Sequence, residues 1–116
     1  MKLAILSEEK ERIKSFLESL DLKYNEQDYS FYMEDGGRVI ATVSVKGNII
    51  QGFGIAPEYR GENLAGRMIS EVLGFLSEKK IYRLKVYTKP ENSEVFKALG
   101  FSEIISTTNI SLLETP

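Results

Sequence analysis

Residues Ile49 to Gly66 read IIQGFGIAPEYRGENLAG. An apolar run stops at Pro57, a Tyr59-Arg60-Gly61 turn follows, and helical spacing begins at once. Pro57 closes the strand because it has no N–H to give to a ladder, and Gly61 permits a sharp reversal of the chain. A helix that starts directly after such a turn presents its first amide N–H groups without intrahelical partners, at the positive end of its dipole. An anion, typically a phosphate, fits that position, and Arg60 adds a fork of donors suited to it. By alternation Ile50, Gly52, Gly54 and Ala56 share one face of the strand. That face is nearly bare, so either a helix packs on it or a ligand lies close against it.

Working outward, Tyr29, Phe31 and Met33 alternate with Ser30, Tyr32 and Glu34, and Asp35-Gly36-Gly37 is a hairpin turn. Val39, Ala41, Val43 and Val45 continue the alternation, and Gly47-Asn48 turns the chain into the Ile49 to Ala56 strand. Three antiparallel strands in a meander follow. Ahead of them, Lys2 to Leu6 reads as a short strand. Ser7 as N-cap then opens a helix over residues 8–20 with Ile13, Phe16, Leu17 and Leu20 on its buried face. Residues 21–27 form a loop that either borders a cleft or simply connects.

After the turn, Leu64, Ala65, Met68, Ile69, Val72, Leu73 and Leu76 predict a helix from Glu62 to about Lys79, laid on the sheet. Gly66 costs about 1 kcal/mol relative to Ala in a helix interior, which close packing or ligand approach there offsets. Ile81 to Thr88 is a further strand, ended by Lys89-Pro90. A helical crossover from the Ile49 strand makes the two parallel neighbours. A helix from Asn92 to Leu99 and strands from Phe101 to Ile105 and around Asn109 to Leu113 complete the pattern. The class is α+β, a mixed and mostly antiparallel sheet flanked by helices.

A chain of 116 residues is one domain with one core. Fifteen basic and 17 acidic side chains give a net charge of −2, which offers no general field for nucleic acid. Lys79, Lys80, Arg83, Lys85 and Lys89 cluster locally, as a solvated strand edge also would. Cysteine and histidine are absent, which removes disulfides, thiol nucleophiles, His relays and most metal sites. No apolar run reaches the length of a membrane span and no signal-peptide core is present, so a cytoplasmic protein is expected. The chain stops almost at its last strand, which suits a domain cut from a longer one.

The run Ile55 to Ala65 resembles the acyl-CoA-binding motif of the GNAT acyltransferases, Gln or Arg followed by x-x-Gly-x-Gly/Ala after a strand end. Arg60 and Ala65 match, and Asn63 stands where the pattern has Gly; Asn tolerates left-handed backbone better than most residues. Asn92 to Phe101 resembles the family's second signature, a short helix closed by Leu99-Gly100-Phe101. Within that superfamily the stretch Gly47 to Phe101, most specifically Tyr87-Thr88-Lys89-Pro90-Glu91-Asn92, is similar to the N-terminal domain of the citrate lyase ligases. Those proteins acetylate the thiol of citrate lyase's CoA-derived prosthetic group, using ATP in a separate domain.

The resemblance implies a GNAT-like fold in which the Ile49 to Ala56 and Ile81 to Thr88 strands splay apart at their C-terminal ends. CoA, acetyl-CoA or a CoA-derived arm would lie between them, its pantetheine along Phe53, Ile55 and Ala56. Its pyrophosphate would sit at Arg60 and the amides of Gly61, Glu62, Asn63, Leu64, Ala65 and Gly66. Asn92 would contact the pantetheine amides and Phe96 would wall the thioester channel; read from the residues alone, they are equally a helix N-cap and a core aromatic. An acyl carrier protein subunit is the implied partner, and neither metal, nucleic acid nor membrane is.

Acetyl transfer to an amine calls for a base and usually an acid for the leaving thiolate. Many GNAT enzymes place a Tyr acid where this chain has Phe96. The Ile49 to Ala56 strand has no carboxylate, and Gln51 is its only side chain able to order water. Tyr59 and Tyr87 are substitutes that spacing does not separate. Three readings stay open: a CoA-type binding domain of the citrate lyase ligase kind, a self-sufficient N-acetyltransferase, and a structural module.

Overall fold

The alternating stretch folds as a three-strand antiparallel meander, β2 (Tyr29–Asp35), β3 (Arg38–Lys46) and β4 (Ile49–Ile55). The computed structural model, which describes residues 1–61 and 63–115, places β1 (Lys2–Leu3) and helix α1 (Ser7–Ser19) before the meander. Helix α2 (Leu64–Glu78), β5 (Lys85–Thr88), helix α3 (Ser93–Ala98), β6 (Ser102–Ser106) and β7 (Ser111–Glu114) follow it. The strands form one sheet in the order β1-β2-β3-β4-β5-β7-β6, antiparallel except where β4 meets β5.

Each face of the sheet is closed by the helix whose apolar stripe matches it. Ile13 and Leu17 of α1 are fully buried and pack with Ala4, Tyr32 and Val39. On the other side Met68, Ile69, Val72 and Leu76 of α2 and Phe96 of α3 join Val43, Ile50, Phe53, Val86 and Leu113 in the larger core. Each such aliphatic side chain contributes about 1.5–3 kcal/mol by leaving water.

Alternation breaks inside β4. Thr42 pairs with Gly54 but Ser44 pairs with Gln51, so Gly52 and Phe53 together oppose Val43. Gly52 has φ +62°, the left-handed conformation that opens a glycine bulge. The bulge puts Ile50, Phe53 and Ile55 in one core cluster and turns Gly52 and Gly54 toward α1. A Cβ on Gly54 would lie 2.9 Å from Leu20 Cδ1, and one on Gly52 would lie 3.6 Å from Leu17 Cδ1. The expected common face of Ile50, Gly52, Gly54 and Ala56 is therefore split, and a helix covers its bare part.

The strand expected from Ile81 starts only at Lys85. Lys80 at the end of α2 has φ +62°, and Ile81 N–H turns back to the Leu76 carbonyl at 2.9 Å, a helix-terminating arrangement that delays the strand. β5 then pairs with β4 in parallel at two positions, Ile49 with Lys85 and Ile50 with Val86. Past Ile50, β4 continues to Ile55 with no further rung to β5.

At the other end of the molecule α1 begins one residue earlier than expected, with Leu6 at the cap and Ser7 already helical. Capping falls to Glu9, which reaches back to accept from the N–H groups of Leu6 (2.9 Å) and Ile5 (3.1 Å). Its second oxygen accepts from the Tyr32 hydroxyl. Beside it Glu34 accepts from Lys2 and Arg12, each at 2.7 Å, so β1, α1 and β2 are tied at one corner.

These bonds, the Tyr32 hydroxyl first and then the two amides, hold the Glu9 carboxyl down from its ordinary 4.5 to about 2. A depressed carboxyl pKa adds stability that is complete above the unfolded value and is lost as pH falls through the folded one. Glu9→Gln should therefore be less stable than the parent at pH 6, with the gap closing between about pH 4.5 and pH 2. Urea denaturation at a series of pH values measures it; a gap of equal size at both ends would contradict this role for Glu9.

Candidate functional site

Between β4 and α2 the chain makes one turn of 3-10 helix, Pro57–Tyr59. Tyr59 N–H bonds to the Ala56 carbonyl (2.9 Å) and Arg60 N–H to that of Pro57 (3.3 Å), while the Tyr59 hydroxyl donates to Asp35. Gly61 takes φ +86° and Asn63 takes φ 59°, ψ 17°. Asn63, the N-cap residue, makes no side-chain capping bond to α2 among the described residues, which leaves donors of the first turn for another partner. A Cβ added to Gly61 would meet nothing within 4 Å, and the space above the turn is open. Arg60 Nε donates to the Ile55 carbonyl at 3.2 Å, which fixes the guanidinium at the end of β4.

Facing this turn is a second one, Pro90–Asn92, which leads into α3. Ser93 Oγ secures it by donating to the Pro90 carbonyl at 2.9 Å. Between the two turns runs a cleft of about 610 Å³. Its lining brings Arg60, Gly61 and the start of α2 together with the apolar side chains of Val95, Ala98 and Leu99. Such a cleft suits a long ligand with an anionic group at one end and a less polar arm at the other. Beyond it, in the wedge between β4 and β5, lies a separate cavity of about 110 Å³ whose walls include Phe53 and Thr88.

The family model described as acetyltransferase (GNAT) domain matches residues 4–110. The chain belongs to the GNAT acetyltransferase family. This GNAT domain is similar to the [citrate [pro-3S]-lyase] ligase of Haemophilus influenzae, 35% identical over 106 residues that make up 88% of this chain. It is similar also to that of Escherichia coli, 33% identical over 76 residues, or 66% of this chain. The matches take in 31% and 22% of those two relatives, so the chain spans less than a third of their length. Among solved structures, Arabidopsis thaliana Naa50 in complex with a bisubstrate analogue, CoA-Ac-MVNAL, superposes with a TM-score of 0.75. That superposition covers 99% of this chain and 97% of the other at 13% identity, a likeness of fold.

Most residues singled out from the GNAT motifs meet at the cleft. Ile55, Arg60, Gly61, Asn63, Leu64, Ala65, Gly66 and Asn92 all line it. Asn63, the departure from the motif, adopts the left-handed conformation that the motif's Gly would supply at lower cost. Gly66 lies in the first turn of α2 rather than its interior, and a Cβ there would come within 2.8 Å of Asn63 Oδ1. Glu62 lies outside the described residues.

Three residues stand elsewhere. Phe53 borders the wedge cavity. Ala56 faces a groove beside α1; its N–H donates to the Ile40 carbonyl (2.8 Å) and its carbonyl accepts from Tyr59 N–H, so it has no amide to offer a ligand in the cleft. Phe96 is fully buried, edge-on to Phe53 (5.4 Å) and Phe101 (5.6 Å), and lines neither cavity. Of the side chains considered for proton work, Gln51 is bonded to Gln27 at 2.9 Å, Tyr59 to Asp35, and Tyr87 borders the wedge. Sequence reasoning missed Val95, Ala98 and Leu99 as cleft walls, though their i, i+3, i+4 spacing on α3 places them on one face. It also missed Glu91 as a lining residue, although Glu91 falls within the Tyr87 to Asn92 run.

Phe96 gives a direct check on this division between core and site. Phe96→Tyr buries a hydroxyl among aromatic rings and should cost about 1–3 kcal/mol of stability. Urea denaturation measures the loss, and a variant as stable as the parent would show that the position reaches water or a polar partner.

Proposed function

We propose that this GNAT domain binds CoA, acetyl-CoA or a CoA-derived prosthetic arm, as the N-terminal module of a citrate lyase ligase-like protein of the cytoplasm. Its partner is then the acyl carrier subunit bearing that arm, whose thiol is the group to be acetylated. The single observation that carries this reading is the cleft that brings Arg60, Gly61 and the start of α2, where Asn63 makes no side-chain capping bond, together with apolar side chains of Val95, Ala98 and Leu99. A diphosphate there would accept from the amides of Gly61 and of Asn63 to Gly66, with Arg60 adding charge. Asn92 would serve the amides of the arm, and Leu64, Val95 and Leu99 its apolar stretches. The thiol end would enter the wedge along β4, beside Phe53 and Ile55, where rungs to β5 are missing.

Binding is favoured over self-sufficient acetyl transfer because the two positions where the family's acid and base would stand, Phe96 and the β4 strand, offer no free proton-moving group. Phe96 has no proton to give and is buried, and Gln51 is held by Gln27. The relatives' whole-protein activity is proposed for this chain only as the role of one module.

The test compares CoA, acetyl-CoA and dephospho-CoA by calorimetry, with thermal melting in parallel. A ligand at 100 times its Kd adds about 2.7 kcal/mol to the folded state, so Tm should rise by roughly 5 °C or more. Gly61→Val, which closes the open space above the turn, should abolish that rise while keeping a cooperative melt of its own. No shift with any of the three at millimolar concentration would favour the structural module. Steady thiol release from acetyl-CoA in the presence of an amine would favour the N-acetyltransferase.

A further inference from the structure

The turn that carries Gly61 is a costly piece of backbone. Gly61 at φ +86° is at ease in the left-handed region, but Asn63 at φ +59° holds a conformation that is unfavourable for a residue with a Cβ. Strained backbone of this kind persists where its surroundings over-determine it. The Asn63 side chain makes no capping bond to α2 that would fix it from the helix side, so the hold comes from another element.

That element is the β2–β3 hairpin. Asp35 ends β2 and Arg38 opens β3, on either side of Gly36-Gly37. The Tyr59 hydroxyl donates to Asp35, and Arg38 forms an ion pair with Glu58, so two successive residues of the 3-10 turn are strapped to the two ends of one hairpin. The hairpin is held in its turn: Arg12 of α1 donates to the Gly37 carbonyl at 2.9 Å and to Glu34 at 2.7 Å. The corner that ties α1 to β2 therefore also steadies the strand ends from which the strap runs.

Tyr59 connects the strap to the cleft. Its ring lines the cleft beside Arg60 and Gly61 and packs against the larger core, while its hydroxyl is engaged by Asp35. Asp35 is not among the residues that line the cleft, so its influence on a ligand there passes through Tyr59. An exposed bond of this sort changes an equilibrium constant by about fivefold at most. Such a factor reaches the ligand in full, because the apparent affinity of a site scales with the fraction of molecules already in the binding-competent form.

We propose that Asp35 is a positioning residue: acting through Tyr59, it keeps the turn at Gly61 and Asn63 in the conformation that receives the diphosphate end of the ligand. That the ligand carries a diphosphate rests on the CoA reading above; the hold of the hairpin on the turn does not.

A double-mutant cycle on the whole chain, read by calorimetry with CoA and by amide NMR of the free protein, tests it. Asp35→Ala and Tyr59→Phe should each weaken CoA binding about fivefold, and the double variant should lose the same fivefold rather than the product. In the free protein both single variants should move the Gly61 and Asn63 amide resonances in the same direction, a signature that a general loss of stability would not give. Parent affinity in both single variants, multiplied losses in the double variant, or Gly61 and Asn63 amides left where they stand in the parent would each overturn the proposal. A parent protein that does not bind CoA overturns the CoA reading alone, and the amide resonances of the free variants still decide whether Asp35 holds the turn.

Discussion

Two rungs, Ile49 with Lys85 and Ile50 with Val86, join the parallel strands at the centre of the sheet among the described residues, and the candidate site exists because there are no more. β4 turns away at the Gly52 bulge, and β5 ends at Thr88 before Pro90, which has no N–H to extend a ladder. The peptide groups of β4 that would have faced β5 need partners from elsewhere, since buried backbone polar groups are costly to leave unpaired. An extended ligand with amide groups is a natural supplier. The same gap leaves room for the wedge cavity, so the site's two compartments share one structural cause.

The protein concentrates its ordinary stabilising interactions away from this gap. The Glu9 and Glu34 networks tie β1, α1 and β2 at one corner, and two apolar clusters fill the faces of the sheet. At the gap the pattern reverses: a helix start whose N-cap Asn63 makes no side-chain capping bond, and a glycine turn with open space above it. Local rules broken together in one place are what a binding site looks like against a consistent scaffold.

Much of this was legible in the residues. The Tyr29 to Val45 alternation and the Asp35-Gly36-Gly37 turn gave the meander, and the Pro57 to Gly61 punctuation gave the strand-turn-helix junction. The one-face reading of Ile50, Gly52, Gly54 and Ala56 failed because a bulge inserts a residue without changing composition, so strict alternation carries past it unnoticed. Strand β5 was read too long because Ile81 and Tyr82 are strand formers, while the bond from Ile81 N–H back to Leu76 O that delays the strand is invisible in composition. Phe96 was open to two readings, a channel wall and a core aromatic, and its packing places it between Phe53 and Phe101.

The central claim is that the ligand occupies the gap between β4 and β5 and grips the start of α2. Hydrogen exchange with mass spectrometry, with and without CoA, measures this most directly. The account predicts that CoA slows exchange in two segments, residues 51–55 and 60–66, and leaves the α1 and β1–β2 corner unchanged. Protection confined to the groove beside α1, or binding that leaves both segments as fast as in the free protein, would contradict it.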